Sequence, residues 1–403
     1  MEKPSVLILG AHNKAALPLI ESAHAHGRRV IAASPLRWCL GFYSRCVSRR
    51  LRYPSAEHAP AACLDSLLRY LARHPVDMLV PVGDSGTELV ARHQDALRRY
   101  TRLALPPYAV FRAGRDKILT LQAAARAGVA IPRTWYPEGQ ALTEIAREAP
   151  YPCLIKPAIS AGARGITVVR SAEELLGSFA AVDSQFGRAF VQDFVPQTGM
   201  QYKVDMVVGK NVRPLAAVAY EKRWYYPPSG GSSVLNRSVS RPDIICLAAR
   251  VLTELGWYGF CDFDFIEDPR DGVVKLMEIN PRYPESLRVV YAAGVDVGEI
   301  AYQLAHDREP PPQLGYQVDR WARFLPGDLL WFLASPDRWR HWRQFVDFFS
   351  PKVQYQLGSA CDPGPLIGYL LENLVVLFNR KQRAARFRLD QTLDRRQPGR
   401  GAL

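Results

Sequence analysis

One stretch constrains this chain more than any other: residues 256–282, GWYGFCDFDFIEDPRDGVVKLMEINPR. Two runs, Cys261-Asp262-Phe263-Asp264-Phe265-Ile266 and Val273-Val274-Lys275-Leu276-Met277-Glu278-Ile279, flank a polar segment holding Pro269 and Asp271-Gly272. That is the pattern of two strands and a hairpin loop. Alternate side chains of a strand share a face. Asp262 and Asp264 therefore point one way, Phe263 and Phe265 the other, and Leu276, Glu278 and Asn280 are expected to share a face. Pairing the strands brings Asp264 beside Glu278 and Asn280, with Arg282 just beyond. Two carboxylates and an amide oxygen among apolar residues make a hard-oxygen site of the kind Mg²⁺ prefers, its octahedron completed by water and phosphate oxygens.

The chain opens with Val6-Leu7-Ile8-Leu9, a turn, a helical pattern over residues 15–26 and Val30-Ile31-Ala32-Ala33, a β-α-β unit that predicts a parallel sheet. The turn lacks G-x-G-x-x-G and Ser34-Pro35 follows the second strand, so dinucleotide binding is disfavoured. A strand over residues 78–82 runs into Gly83-Asp84-Ser85-Gly86. Loops at carboxyl ends of parallel strands line ligand crevices, which makes Asp84 a candidate substrate contact. The same residues also suit the cap of the following helix.

Further on, Lys117 opens a helix, and Pro152-Cys153-Leu154-Ile155-Lys156-Pro157 is a strand presenting Lys156. Ser160-Ala161-Gly162-Ala163-Arg164-Gly165 is a small-residue loop before the strand Thr167-Val168-Val169; such loops bring backbone N–H groups close to phosphates. Residues 202–208 and 214–220 form a hairpin with one polar face. An aromatic, basic, Gly/Ser-rich segment follows and reads as an irregular functional loop. Within it Lys222, Arg223, Gly230, Gly231, Ser232 and Ser233 are candidates to hold a substrate carboxylate, and Arg288 to line the acceptor pocket.

F-D-F-I at 263–266 followed by M-E-I-N-P-R at 277–282 resembles the metal-binding end of the ATP-grasp superfamily, and the strand–lysine–small loop–strand run resembles its lid. The G-G-S-S segment and, loosely, Ser350 to Gln354 with Asp362-Pro363-Gly364-Pro365 are similar to carboxylate–amine ligases of the D-aspartate ligase type. The resemblance implies an α/β and α+β chain: a Rossmann-like parallel domain (1–110), an ATP-grasp lid subdomain (111–195), a large subdomain with the metal site (196–310) and a helical C-terminal extension with a basic tail (311–403). It implies ATP as cofactor with two Mg²⁺ ions, Mn²⁺ able to replace them, held by Asp264, Glu278 and Asn280. Lys117, Lys156, Ser160, Ala161, Gly162, Arg164 and Gly165 would surround the phosphates. Gln192, Asp193, Phe194 and Val195 would receive adenine, with Gln197 or Gln201 toward the ribose. Arg282 and Lys156 would be catalytic. The implied reaction joins a carboxylate to an amine through an acyl phosphate. The rival readings are an ATP-grasp enzyme of another outcome, such as a carboxylase subunit or a ligase acting on a cell-envelope sugar or peptide, and a non-catalytic ATP-binding, membrane-associated regulatory protein.

Lys and Arg total 52 against 39 Asp and Glu, so anionic partners are expected. The excess is uneven: residues 380–400 carry eight Lys/Arg against Asp390 and Asp394. Seven scattered cysteines suit a reducing cytosol, and no signal peptide or run of 18 apolar residues is evident, so a cytoplasmic protein is expected. Residues 320–349 hold Trp321, Trp331, Trp339 and Trp342 among arginines, and Ile367, Leu370, Leu371, Leu374 and Phe378 form a helical apolar stripe. These read either as helices packed on the body or as a basic amphipathic anchor on an anionic membrane. No nucleic-acid-binding motif accompanies them, and no nucleic-acid partner is expected.

Overall fold

The computed structural model describes residues 3–160, 164–228 and 232–378. The first of its three sheets comprises β1 (Ser5–Leu9), β2 (Arg29–Ser34), β3 (Arg49–Arg52) and β4 (Met78–Pro81), all parallel, in the order β3-β2-β1-β4. β1 and β4 are buried throughout, as continuous apolar runs in a parallel sheet require.

The second sheet is a small antiparallel lid: β5 (Thr134–Trp135), β6 (Cys153–Pro157), β7 (Thr167–Val169) and β8 (Ala189–Asp193), in the order β5-β8-β6-β7. Two helices, Leu142–Glu148 and Ala172–Phe186, close its core around Trp135, Ile145, Ile155, Leu175 and Val191. Ser171 starts the second helix by accepting from Glu174 N at 3.1 Å.

The third sheet has seven strands: β9 (Gln201–Val208), β10 (Pro214–Tyr226), β11 (Ser232–Ser238), β12 (Gly259–Glu267), β13 (Val274–Asn280), β14 (Trp321–Arg323) and β15 (Val353–Tyr355), ordered β13-β12-β9-β10-β11-β14-β15. The two expected hairpins lie side by side through the β9–β12 pairing. One face buries Val204, Met206, Phe263 and Phe265 against the helix Pro242–Leu255 and Trp257. The other presents Val207, Val218 and Phe260 to Val6, Ile8 and Met78 of the first sheet, so the large subdomain and the first domain share a core.

The segment after Tyr220 is not the irregular loop expected from its composition. Glu221 to Tyr226 prolongs β10, and Ser232–Ser238 returns as β11, with Lys222 opposite Asn236 and Tyr226 opposite Ser232. Arg223 is the extra residue of a bulge between Lys222 and Trp224. Aromatic strand formers drive this: Trp224 and Leu235 are buried, and Trp224 stacks on Trp331 at 4.1 Å. The C-terminal extension is mainly helical, including Leu325–Ala334 and Gly364–Phe378, and it also adds β14 and β15 to the large sheet.

Candidate active site

The face of the large sheet that meets the first domain changes character along its strands. Beyond Val207, Val218 and Phe260 the same alternation presents Asp205, Tyr220 and Asp262, then Lys203, Lys222 and Asp264. Asp262 pairs in register with Asn280, and Asp264 with Glu278. The register then slips so that Phe265 faces Leu276, leaving Met277 as a bulge residue. This corrects one expectation. Leu276 does not share a face with Glu278; the bulge turns it into the core with Phe263 and Phe265, while Glu278 and Asn280 stay with the acids.

Lys203 is the hub. Its Nζ donates to Asp262 Oδ2 at 2.7 Å and Asp264 Oδ2 at 2.9 Å. Asn280 Nδ2 donates to the same two oxygens at 3.2 Å each, and Lys222 Nζ closes on Asp264 Oδ1. Burial alone would raise the Asp264 carboxyl, but the two ammonium groups outweigh it and hold it well below the usual carboxylate range. Asp205 and Asp262, cross-strand partners, are both fully buried, and each keeps one oxygen with no donor of its own, Oδ2 and Oδ1. Burial, then the charge of Asp262, pushes Asp205 well above the carboxylate range. Tyr220 Oη, 2.8 Å from Ser286 Oγ, donates to Asp205 at 3.3 Å.

Arg282 ties the hairpin to the first domain. Its Nε donates to Asp84 Oδ1 at 3.0 Å, its second terminal nitrogen to Asn280 Oδ1 at 3.3 Å, and its first lies 3.7 Å from Asp262. Asp84 opens the helix Asp84–Arg92 without capping it by a side-chain hydrogen bond.

Glu278 differs from the other acids. Its side chain is 32% exposed, and its nearest cation is Lys117 Nζ at 3.7 Å. Among the described residues its carboxylate accepts no hydrogen bond. Lys117 starts the helix Lys117–Arg126, whose N-cap Asp116 accepts from Ile118 N and Leu119 N, and its Nζ donates to Ser160 O and Oγ at 3.3 Å each. Lys156, on β6, donates to Gln192 Oε1 at 2.7 Å. Burial lowers its ammonium to about 8 against the opposing pull of Glu278. Lys117, Lys156 and Glu278 therefore cluster where the β6 sheet meets the large sheet.

The remaining expected residues sort by their partners. Gly165 has φ +77°, and a Cβ there would lie 2.7 Å from Phe186, so this turn of the lid loop requires glycine. Ala161, Gly162, Gly230, Gly231 and the basic tail lie outside the described residues. Arg164 pairs with Glu57 of the first domain at 3.2 Å. Asp193 accepts both terminal nitrogens of Arg270, at 3.3 and 2.7 Å. Phe194 is half-buried and Val195 buried; Gln197 donates to Val195 O, and Gln201 to Gln197. Arg223 meets Glu221 at 3.5 Å, and Ser232 and Ser233 are paired in the β10–β11 ladder. Arg288 donates to both oxygens of Glu21 at 2.5 and 2.7 Å, a clamp between the first domain and the large subdomain. Lys203, Asp205, Asp262, Tyr220 and Ser286 were not singled out as site residues. The alternation Lys203-Val204-Asp205 beside Asp262-Phe263-Asp264 is the signal that places them on one face.

Among the described residues no cluster of three or more His, Cys, Asp or Glu forms a ready-made metal cage. An open carboxylate facing two lysines, with the Asn280 amide oxygen nearby, does suit Mg²⁺, which takes few protein ligands and completes its shell with phosphate and water.

Residues 114–286 match the ATP-grasp domain family, so an ATP-grasp domain occupies the centre of the chain. Over 257 residues it is 28% identical to the formate-dependent phosphoribosylglycinamide formyltransferase of Ignicoccus hospitalis, covering 59% of this chain and 61% of that one. It is 24% identical over 251 residues to the D-aspartate ligase of Enterococcus faecium, covering 58% and 59%. The chain thus spans about three fifths of the length of these curated relatives. Its fold is shared with a biotin carboxylase from Campylobacter jejuni (TM-score 0.67, 16% identity, 79% of this chain and 74% of that one). It is also shared with an L-amino acid ligase from Bacillus licheniformis (TM-score 0.57, 15% identity, 76% and 75%).

Proposed function

We propose that the protein is an enzyme of the ligase class that uses ATP to join a carboxylate to an amine through an acyl phosphate. The observation that carries this is the open Glu278 carboxylate opposite Lys117 and Lys156, on a hairpin whose other acids are already neutralised. Glu278 and Asn280 would hold the first divalent cation; Asp264 becomes a ligand, for that ion or a second, only if Lys222 leaves it. Mg²⁺, when bound, screens the triphosphate and orients its terminal phosphoryl group. Lys117 and Lys156 balance the phosphate charge, and Ser160 and Gly165 shape the loop above it. Arg282, held by Asp84 and Asn280, would neutralise the transferred phosphoryl group. Lys222 and Lys203, both paired to Asp264, would meet the substrate carboxylate. That carboxylate attacks the γ-phosphorus and ADP leaves; the amine then attacks the acyl carbon, phosphate departs and the amine loses a proton. Resemblance to a D-aspartate ligase supports this outcome over carboxylation. Seven unpaired cysteines support work in a reducing cytosol.

The test is ADP formation screened over amino acids, sugar acids and amines. ADP release that requires both a carboxylate and an amine is expected. Release with bicarbonate and no amine, or none with any pair despite ATP binding, would refute the reading.

A further inference from the structure

The C-terminal extension carries two aromatic layers. The inner one holds it to the large sheet: Trp331 stacks on Trp224, Phe345 lies 6.4 Å from Trp224, and Phe332 stacks on Phe345 at 4.2 Å. The outer layer is left in solvent. Leu325, Leu329 and Leu333 recur every four residues along the helix Leu325–Ala334, each exposed, with Leu330 beside them. Trp339 is 67% exposed, Trp342 48%, Val346 48% and Phe349 97%. A second stripe, Leu366, Ile367, Leu370 and Leu374, lies exposed on the helix Gly364–Phe378. The two stripes start close together, since Phe324 meets Tyr369 edge-to-face at 5.5 Å.

Soluble proteins rarely leave so many large apolar side chains together in water, and such a surface marks a docking site. The charges around it say what docks. Arg338 stands over Trp339 and Arg343 over Trp342, each 5.9 Å from the ring, and Arg340 is exposed beside them. The stripe on the second helix leads in sequence straight into residues 380–400, with eight Lys/Arg against two Asp. Tryptophan, phenylalanine and leucine interleaved with arginine and followed by a basic run suit an interfacial bed of acyl chains beneath anionic headgroups. No helix among the described residues is long and apolar enough to cross a membrane, so the contact is peripheral.

We propose that this face docks the protein on an anionic lipid bilayer, with Trp339, Trp342, Phe349 and the leucine stripe Leu325, Leu329 and Leu333 inserted at headgroup depth and the arginines paired to lipid phosphates. The face is separate from the crevice around Glu278, so the inference stands independently of the ligase reading.

Full-length protein is mixed with phosphatidylcholine vesicles, and with vesicles containing a quarter phosphatidylglycerol, and bound protein is measured by flotation at 50 mM and 500 mM salt. Binding to the anionic vesicles at low salt is expected to exceed that to neutral ones by about tenfold or more, and to fall at high salt. A blue shift of tryptophan emission, with quenching by brominated lipid, accompanies it. The double variant Trp342→Glu/Phe349→Glu changes two exposed side chains, so thermal unfolding stays as in the wild type while vesicle binding drops about tenfold or more. Absence of binding to anionic vesicles, binding unchanged in the double variant, or a concentration-dependent dimer that this variant dissolves, would each overturn the proposal.

Discussion

Replacing Glu278 by glutamine removes one charge and no volume, so it separates the site's chemistry from its architecture. In the structure the side chain is 32% exposed and its nearest cation among the described residues is Lys117 at 3.7 Å. A partly exposed pair at that distance contributes at most about 1 kcal/mol to folding, so the melting temperature is expected to move by less than about 2 °C. The chemical effect is far larger. Glu278 would act through the cation it holds beside the phosphates, and losing that electrostatic stabilisation is expected to lower the rate by a factor of about 10²–10³, about 3–4 kcal/mol. A third effect follows from Lys156: the Glu278 carboxylate supports its ammonium against burial, so Glu278→Gln moves that lysine below about 8. The assay is ADP release with a productive substrate pair, run beside thermal unfolding. Turnover within a few-fold of wild type at unchanged stability would refute the placement of Glu278 at the phosphates.

Other outcomes follow from the same geometry. Lys203→Met leaves buried Asp262 and Asp264 without their shared counter-charge, and denaturant unfolding is expected to show a loss of about 3–5 kcal/mol. Lys156 is about half deprotonated at pH 8 in the free protein, and triphosphate favours its charged form, so calorimetry in paired buffers should register uptake of roughly half a proton on ATP binding at pH 8, little at pH 6.5, and none in Lys156→Met. In folding the sign is opposite to a paired lysine's. The folded value lies below the unfolded one, so this group makes stability rise with pH between about 8 and 10.5. Gly165→Ala forces a side chain into the left-handed region and against Phe186 and Pro157, so a stability loss of about 1–2 kcal/mol and a raised KM for ATP, with kcat changed less, are expected.

Hairpin, parallel sheet and lid were legible because each repeats one simple period. The alternation of Asp262-Phe263-Asp264-Phe265 fixes which side faces the core, and the buried run at Val6 to Leu9 can only be a central strand. What escaped depends on contacts between distant strands. The bulge at Met277 reverses Leu276, and no local pattern announces it. Lys203 becomes the hub only because β9 lies beside β12, a pairing of residues some sixty positions apart. The place of Arg288 after Arg282 does not disclose its partner Glu21, which sits in the first helix of the chain. At Trp224 the Gly and Ser content suggests a loop, while tertiary packing against Trp331 turns the aromatic segment into a strand.

The account rests on a divalent cation and the ATP phosphates meeting at the β12–β13 hairpin, opposite Lys117 and Lys156. A crystal structure with a non-hydrolysable ATP analogue and Mn²⁺, located by its anomalous signal, tests this directly. The account predicts a manganese peak within about 2.2 Å of a Glu278 carboxylate oxygen and of a phosphate oxygen. A nucleotide bound elsewhere, or a manganese peak with Glu278 outside its coordination shell, would contradict it.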